Sequence, residues 1–149
     1  MKTSLIVMGA VVVVIASAAA GIFAWSAHGA SEVERVGQAF VGAPTWTRTL
    51  EETQGNTLLC LDGGACPSYF TSWEAPQPPD PKSFQELVDD AGYDLDVEGT
   101  CRNPPNGLGS QVGCSARGVV DGLHVRISYS TPTTGQDVGY VDLEVRPSP

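Results

Sequence analysis

Residues 114–129 read CSARGVVDGLHVRISY, a pattern that predicts a β-hairpin. Its centre, Asp121-Gly122, is a dipeptide that two-residue hairpin turns favour. A turn of that length fixes the register of the two strands, which places position 120 opposite 123, 118 opposite 125, 116 opposite 127 and 114 opposite 129.

This register divides the hairpin into an apolar face and a polar face, because side chains alternate along a strand. The apolar face carries Cys114, Ala116, Gly118, Val120, Leu123, Val125, Ile127 and Tyr129. The polar face carries Arg117, His124, Arg126 and Ser128. A slip of one residue would bury the arginines without partners, at a cost of several kcal/mol. We therefore expect the register to be firmly held.

Further strands are predicted wherever apolar and polar side chains alternate. Residues 141–146 have this pattern, and so do residues 94–101, which include Leu95, Val97, Gly99 and Cys101. Residues 57–61 and 68–73 are expected to form strands about a turn at residues 62–64. The proline-rich residues 74–79 are expected to form a linker, since proline cannot donate to a sheet.

Two helices are predicted. The clearer one begins with Asp80 as N-cap and Pro81 in the first turn, and Gly92 ends it. Its apolar stripe consists of Phe84, Leu87, Val88 and Ala91. A shorter helix is expected over residues 32–41. The sequence thus predicts an α+β fold: a small, disulfide-stabilised, mostly antiparallel sheet with one packed helix, preceded by an N-terminal transmembrane helix.

The N-terminal segment from Leu5 to Trp25 is 21 residues long and uncharged. As a helix it would span about 31 Å, close to the thickness of a bilayer core. Lys2 precedes it and Glu32 follows, so the positive-inside rule puts residues 1–4 in the cytoplasm and the rest outside. Residues 26–44 would form a juxtamembrane helix and linker, and residues 45–149 the extracytoplasmic domain. The alternative is a cleaved secretory signal ending at Ala18-Ala19-Ala20.

The charge of the chain argues against nucleic acid as a partner. All 17 acidic residues lie beyond residue 30, where only seven basic residues accompany them. Phosphate backbones are bound by basic patches on basic domains. The partners expected instead are the membrane, through Leu5 to Trp25, and a protein at the cell surface.

Four cysteines in an exported domain predict two disulfides. The most economical pairing joins Cys60 with Cys66, across the turn at residues 62–64, and Cys101 with Cys114. A zinc site is the rival interpretation, but no C-x₂-C pair is present. No metal and no cofactor is expected.

Arg117, His124 and Arg126 are the candidate binding residues, because the predicted register puts them on one face, where they could bind an anion. The opposing interpretation is that Asp142 and Glu144 neutralise both arginines. Any histidine-based catalysis would need His124 with a nearby hydroxyl from Ser115 or Ser128, or a carboxylate such as that of Asp142. A surface histidine is the plainer interpretation.

An acidic stretch resembles the first half of a calcium-binding loop. It runs through Asp94, Asp96 and Glu98, but the twelfth position of such a loop would be Pro105 where a bidentate Glu is required. The stretch is better explained as the solvent face of a strand.

The leading functional hypothesis is a membrane-tethered extracytoplasmic binding or accessory module that is not an enzyme, because no catalytic motif accompanies the features of export. The alternative is a small hydrolase or sensor domain, secreted or membrane-bound, that uses the His124 face.

Overall fold

The computed structural model describes Ser17 and residues 28–55, 67–102, 111–131 and 138–148. In these parts of the chain, two helices pack on one face of a six-stranded antiparallel sheet. Helix α1 includes residues 28–39 and helix α2 is Pro81–Asp90. The strands are β1 (Thr47–Gln54), β2 (Ser68–Ala75), β3 (Glu98–Gly99), β4 (Gln111–Val120), β5 (Leu123–Thr131) and β6 (Gly139–Pro147). Their spatial order is β1-β2-β6-β5-β4-β3.

The hairpin of β4 and β5 has the predicted register. Val120 lies opposite Leu123, and the pairing continues in step to Cys114 opposite Tyr129. Asp121 and Gly122 both have positive φ, 51° and 79°, as a type I′ turn requires. A bulge between Val112 and Cys114 shifts the register only beyond the predicted pairs.

The core lies between the sheet and the two helices. Strands β5 and β6 contribute Ile127 and Leu143, both fully buried, and α2 contributes Phe84 and Val88. Asp80 caps α2 as predicted, because its carboxylate accepts hydrogen bonds from the N–H groups of Lys82 and Ser83.

Helix α2 packs on the sheet as predicted, and helix α1 contributes to the same core. Its apolar side chains Val33 and Val36, with Phe40 just after the helix, are no more than 2% exposed. The contact is close because Gly37 has no side chain: a Cβ there would lie 2.0 Å from Cδ1 of Tyr69. These three side chains therefore join the core of the sheet, while the juxtamembrane position of the segment stays a prediction.

The strand predicted over residues 94–101 is reduced to Glu98–Gly99. The expected alternation of burial is present, since Leu95 is buried between exposed Asp94 and Asp96. However, the side chain of Gln85 in α2 donates to the carbonyl of Leu95 and accepts from the N–H of Val97. These backbone groups are held by the helix, so they are not available to pair with a strand.

Two further differences concern β1 and β2. Strand β2 continues to Ala75, two residues beyond the predicted end and into the expected linker. Strand β1, Thr47–Gln54, was not predicted: its sequence TRTLEETQ has one apolar residue, and every one of its residues is exposed. An edge strand that buries nothing carries no apolar alternation to reveal it.

The predicted disulfide between Cys101 and Cys114 is present. The N–H groups of Thr100 and Cys101 both donate to the carbonyl of Gly113, which draws the chain after β3 against β4. The second predicted pair, Cys60–Cys66, and the strand predicted over residues 57–61 lie outside the described residues.

The predicted membrane span, Leu5 to Trp25, lies outside the described residues except for Ser17, which is helical. Within the described part of the chain, neither helix combines the length and apolarity that a membrane crossing needs. The span therefore stays a prediction from sequence.

Candidate functional site

The face of the sheet opposite the two helices carries the candidate residues. We call it the outer face. No helix of the described residues packs on it. On each strand, its side chains alternate with those that face the helices. The register between strands arranges these side chains in rows across the sheet.

Two neighbouring rows near the β4–β5 turn are rich in basic side chains. Val119 lies opposite His124, and His124 lies opposite Arg146. In the next row, Arg117 lies opposite Arg126. Directly opposed Cβ atoms in such a sheet are about 5 Å apart. We call the four residues Arg117, His124, Arg126 and Arg146 the basic corner.

The structure brings the three predicted binding residues together and adds Arg146, which sequence reasoning did not include. The signal for it was present: Arg146 has the same parity on β6 as Asp142 and Glu144, which were already assigned to the polar side of that strand. What the sequence could not give was the register of β6 against β5, which puts Arg146 beside His124.

Few carboxylates oppose the basic corner. Arg117 lies 3.8 Å from Glu98 and Arg146 lies 3.5 Å from Glu144, both loose ion pairs on exposed side chains. Among the described residues, Arg126 has no carboxylate oxygen within 4.0 Å of its guanidinium nitrogens, although its strand neighbour is Glu144.

The expected neutralisation of both arginines by Asp142 and Glu144 does not occur in the described structure. The carboxylate of Asp142 instead accepts a hydrogen bond of 2.7 Å from the hydroxyl of Ser72 on β2. Glu144 contacts Arg146. Asp142 is too far from the arginines to pair with them, because it lies opposite Ser128, one row further from the turn. The corner therefore keeps an excess of positive charge, with three arginines against the carboxylates of Glu98 and Glu144.

The groups needed for histidine-based catalysis are not assembled around His124. Ser128 lies four residues along β5, which corresponds to about 13 Å in a strand. Ser128 stands opposite Asp142 on one side and Ser115 on the other, so these candidate groups share a row that His124 does not. In the described residues, His124 makes no hydrogen bond to a hydroxyl or a carboxylate.

The acidic stretch before β3 does not form a metal site in the part of the chain that is described. Asp94, Asp96 and Glu98 are exposed, and no group of three or more potential ligands converges among the described residues.

A second polar cluster lies on the inner face, where β1 meets α1. The hydroxyl of Tyr69 donates to Oε1 of Glu51 at 2.8 Å, and this hydrogen bond lowers the pKa of Glu51. Arg48 contacts the other carboxylate oxygen of Glu51 at 2.7 Å and stacks 5.6 Å from the ring centre of Trp73. These contacts hold the edge strand to the core, which accounts for the cluster without a ligand.

No family model, curated protein or solved structure matches this chain. The class is therefore defined by its own geometry: an α+β domain with two helices on one face of an open antiparallel sheet and a basic corner on the other.

Proposed function

We propose that this chain is a membrane-tethered extracytoplasmic binding module that recognises an anionic partner with the basic corner. The observation that carries the proposal is the placement of charge. The chain has a net charge of −9, yet three of its eight basic residues, Arg117, Arg126 and Arg146, lie side by side on one exposed face.

Grouping three arginines in this way does not stabilise the fold, but it suits the binding of an anion. Arginines opposite each other repel, and the loose pairs with Glu98 and Glu144 compensate only in part. An acidic partner would be drawn to this group of arginines, while the acidic remainder of the chain repels it. The exposed side chain of Val119 adds an apolar contact at the edge of the corner.

The tether and the compartment rest on the sequence. The uncharged stretch from Leu5 to Trp25 supports an anchor, and the Cys101–Cys114 disulfide fits an oxidising environment outside the cytoplasm.

Site-specific photo-cross-linking in intact cells tests the proposal. A benzophenone amino acid replaces Val119 in the full chain, and a matched chain carries it at Val112. Both valines are on the outer face of β4 with similar exposure, 56% and 51%, but at opposite ends of the strand. We expect an adduct at position 119 and little or none at 112.

The double variant Arg117→Gln/Arg126→Gln supplies the second arm. Because both side chains are exposed, we expect it to change the free energy of unfolding by less than about 1 kcal/mol. Circular dichroism checks that it folds. An adduct at position 119 that persists at full yield in this folded variant would refute the basic corner as the recognition surface.

A further inference from the structure

Helix α1 runs away from the end of the sheet that carries the basic corner. Arg35 contacts the carboxylate of Asp121 in the β4–β5 turn at 2.9 Å. Further along, Gly37 lies against the ring of Tyr69, and Phe40 packs 5.4 Å from the ring centre of Trp73. Along β2, Tyr69 is nearer the turn end than Trp73, since it pairs with Val145 and Trp73 with Val141. The helix therefore has its N-terminal part at the turn end.

The predicted membrane span ends close to this part of the helix. It ends at Trp25, and the described part of α1 begins at residue 28. Three residues reach no more than about 11 Å. Residue 28 lies about another 10 Å along the helix from Arg35, which contacts the turn. If the span is anchored as proposed, the turn end of the sheet is therefore held within about 20 Å of the membrane surface, and the basic corner is at that end.

We propose that the anionic partner of the basic corner is the phospholipid headgroup surface of the membrane in which the chain is anchored. This inference rests on the tether of the proposed function and names the ligand of the same site. Basic side chains are attracted to anionic headgroups over a distance of about 8 Å at physiological salt. The acidic remainder of the domain is repelled, so the two effects together orient the domain.

The orientation follows from the dimensions of the hairpin. Arg117 and Arg126 lie four residues from the turn residues, which is about 13 Å along a strand. An upright sheet would hold both guanidinium groups at or beyond the limit of attraction. All four basic side chains reach the headgroups together only when the sheet leans onto its outer face. The exposed Val119, in the row nearest the turn, then touches the interface.

Lipid cross-linking in nanodiscs tests this inference with the full chain. The benzophenone amino acid is placed at Val119 or, as control, at Val112, which lies about 30 Å along β4 from the turn. Each chain is reconstituted in phosphatidylglycerol or in phosphatidylcholine, and lipid adducts are measured by mass spectrometry. We expect at least about fivefold more adduct at position 119 in phosphatidylglycerol, and little at 112 in either lipid.

Two variants decide whether the corner is responsible. Arg117→Gln/Arg126→Gln/Arg146→Gln is expected to reduce the yield at 119 in phosphatidylglycerol to that seen in phosphatidylcholine. Lys82→Gln/Arg102→Gln removes two exposed basic groups elsewhere and is expected to leave the yield unchanged. Added sodium chloride is expected to lower the yield. Inorganic phosphate at the same ionic strength is expected to lower it no further, because it does not compete with a lipid surface. Displacement by phosphate would show that the site binds free phosphate and overturn the inference.

Failure of this inference is distinguishable from failure of the proposed function. Equal adducts in the two lipids, or an equal adduct at position 112, would overturn the lipid assignment while the tethered chain stays in the nanodisc. An adduct in native membranes that consists of protein alone would identify a protein partner and also overturn it. If alkaline carbonate extracted the chain from native membranes, the chain would not be anchored by a membrane span. That result would overturn both proposals.

Discussion

Gly37 lies in α1 at the point where the helix meets the ring of Tyr69. Replacing it with alanine has two opposed effects. Alanine favours a helix over glycine by about 1 kcal/mol, but overpacking a core typically costs about 1–3 kcal/mol. The second effect dominates, because the ring is 1% exposed and its hydroxyl is bound to Glu51. We expect Gly37→Ala to lower the free energy of unfolding by about 1–2 kcal/mol in urea denaturation.

Gly55→Ala is the matched control for that variant. A Cβ at Gly55 would meet no atom within 4 Å. Its free energy of unfolding should stay within about 0.5 kcal/mol of the parent protein. A stabilised Gly37→Ala variant would contradict the close seating of α1 on Tyr69.

Tyr93 connects α2 to α1, because it follows α2 and its hydroxyl donates to the carbonyl of Val36. Burial raises its pKa to about 12, above the ordinary value of about 10. The folded protein therefore keeps this proton at a pH where the unfolded chain releases it. The stability that results is fully present below about pH 10 and is lost as the pH rises towards 12.

We expect the free energy of unfolding to fall across that range, and Tyr93→Phe to make the fall shallower. Burial also raises the pKa of Tyr69 and Tyr129, so the variant should reduce the slope without abolishing it. Urea denaturation at several pH values measures this. An identical slope in the variant and the parent would contradict the role of Tyr93.

Among the elements, the β4–β5 turn makes the most specific demand on sequence. Gly122 has a φ of 79°, a conformation that costs other L-residues about 1–2 kcal/mol. We expect Gly122→Ala to destabilise the protein by about that amount, measured by chemical denaturation. Asp121→Asn tests the neighbouring position, whose φ of 51° asparagine tolerates well. It removes only the exposed ion pair with Arg35, so its effect should stay below about 1 kcal/mol.

The disulfide is the second element-scale prediction. Cys101 and Cys114 close a loop with a sequence separation of 13, for which chain entropy corresponds to about 3 kcal/mol. We expect Cys101→Ala/Cys114→Ala to lower the free energy of unfolding by about 2–4 kcal/mol in urea. Peptide mapping without reductant supplies the covalent check. A Cys60–Cys114 peptide would refute both this bridge and the predicted Cys60–Cys66 bridge.

Sequence predicted those elements whose local pattern and final environment agree. The β4–β5 hairpin, β6 and α2 each bury one apolar parity or stripe, and a cap or turn residue marks the ends of α2 and the hairpin centre. The pattern failed in β1, which buries no side chain, and before β3, where Gln85 binds the backbone that a strand would use. In both cases contacts with other elements decide the structure, and the spacing of apolar residues along the sequence does not reveal such contacts.

At the scale of the whole molecule, only those residues of the candidate site that lie on the β4–β5 hairpin could be predicted from the sequence. The turn fixed the register that unites Arg117, His124 and Arg126. The register of β6 against β5 lies beyond local rules, so the positions of Arg146 opposite His124 and of Asp142 opposite Ser128 could not be foreseen. These two facts change the interpretation of the site, because Asp142 accepts a hydrogen bond from Ser72 and Glu144 contacts Arg146, so neither carboxylate pairs with Arg117 or Arg126 in the described residues.

The orientation of the whole chain can be tested with its only two lysines, Lys2 and Lys82. The positive-inside rule predicts that Lys2 lies in the cytoplasm and Lys82 outside. The Lys82 side chain is 85% exposed, so a membrane-impermeant amine reagent can reach it. In intact cells we expect the label on Lys82 alone, and on Lys2 only after permeabilisation, as read by mass spectrometry of the full-length chain.

Lys82→Arg is the control for this labelling, because it keeps the charge and removes the primary amine. In intact cells no label should then remain on the chain beyond residue 25. Label on Lys2 in intact cells would reverse the predicted orientation. A mature chain that begins at residue 21 would show instead that the segment is a cleaved signal, since Ala18-Ala19-Ala20 precedes that residue. In that case α1 would still pack on the sheet through Val33, Val36 and Phe40, but the basic corner would no longer be held near a membrane.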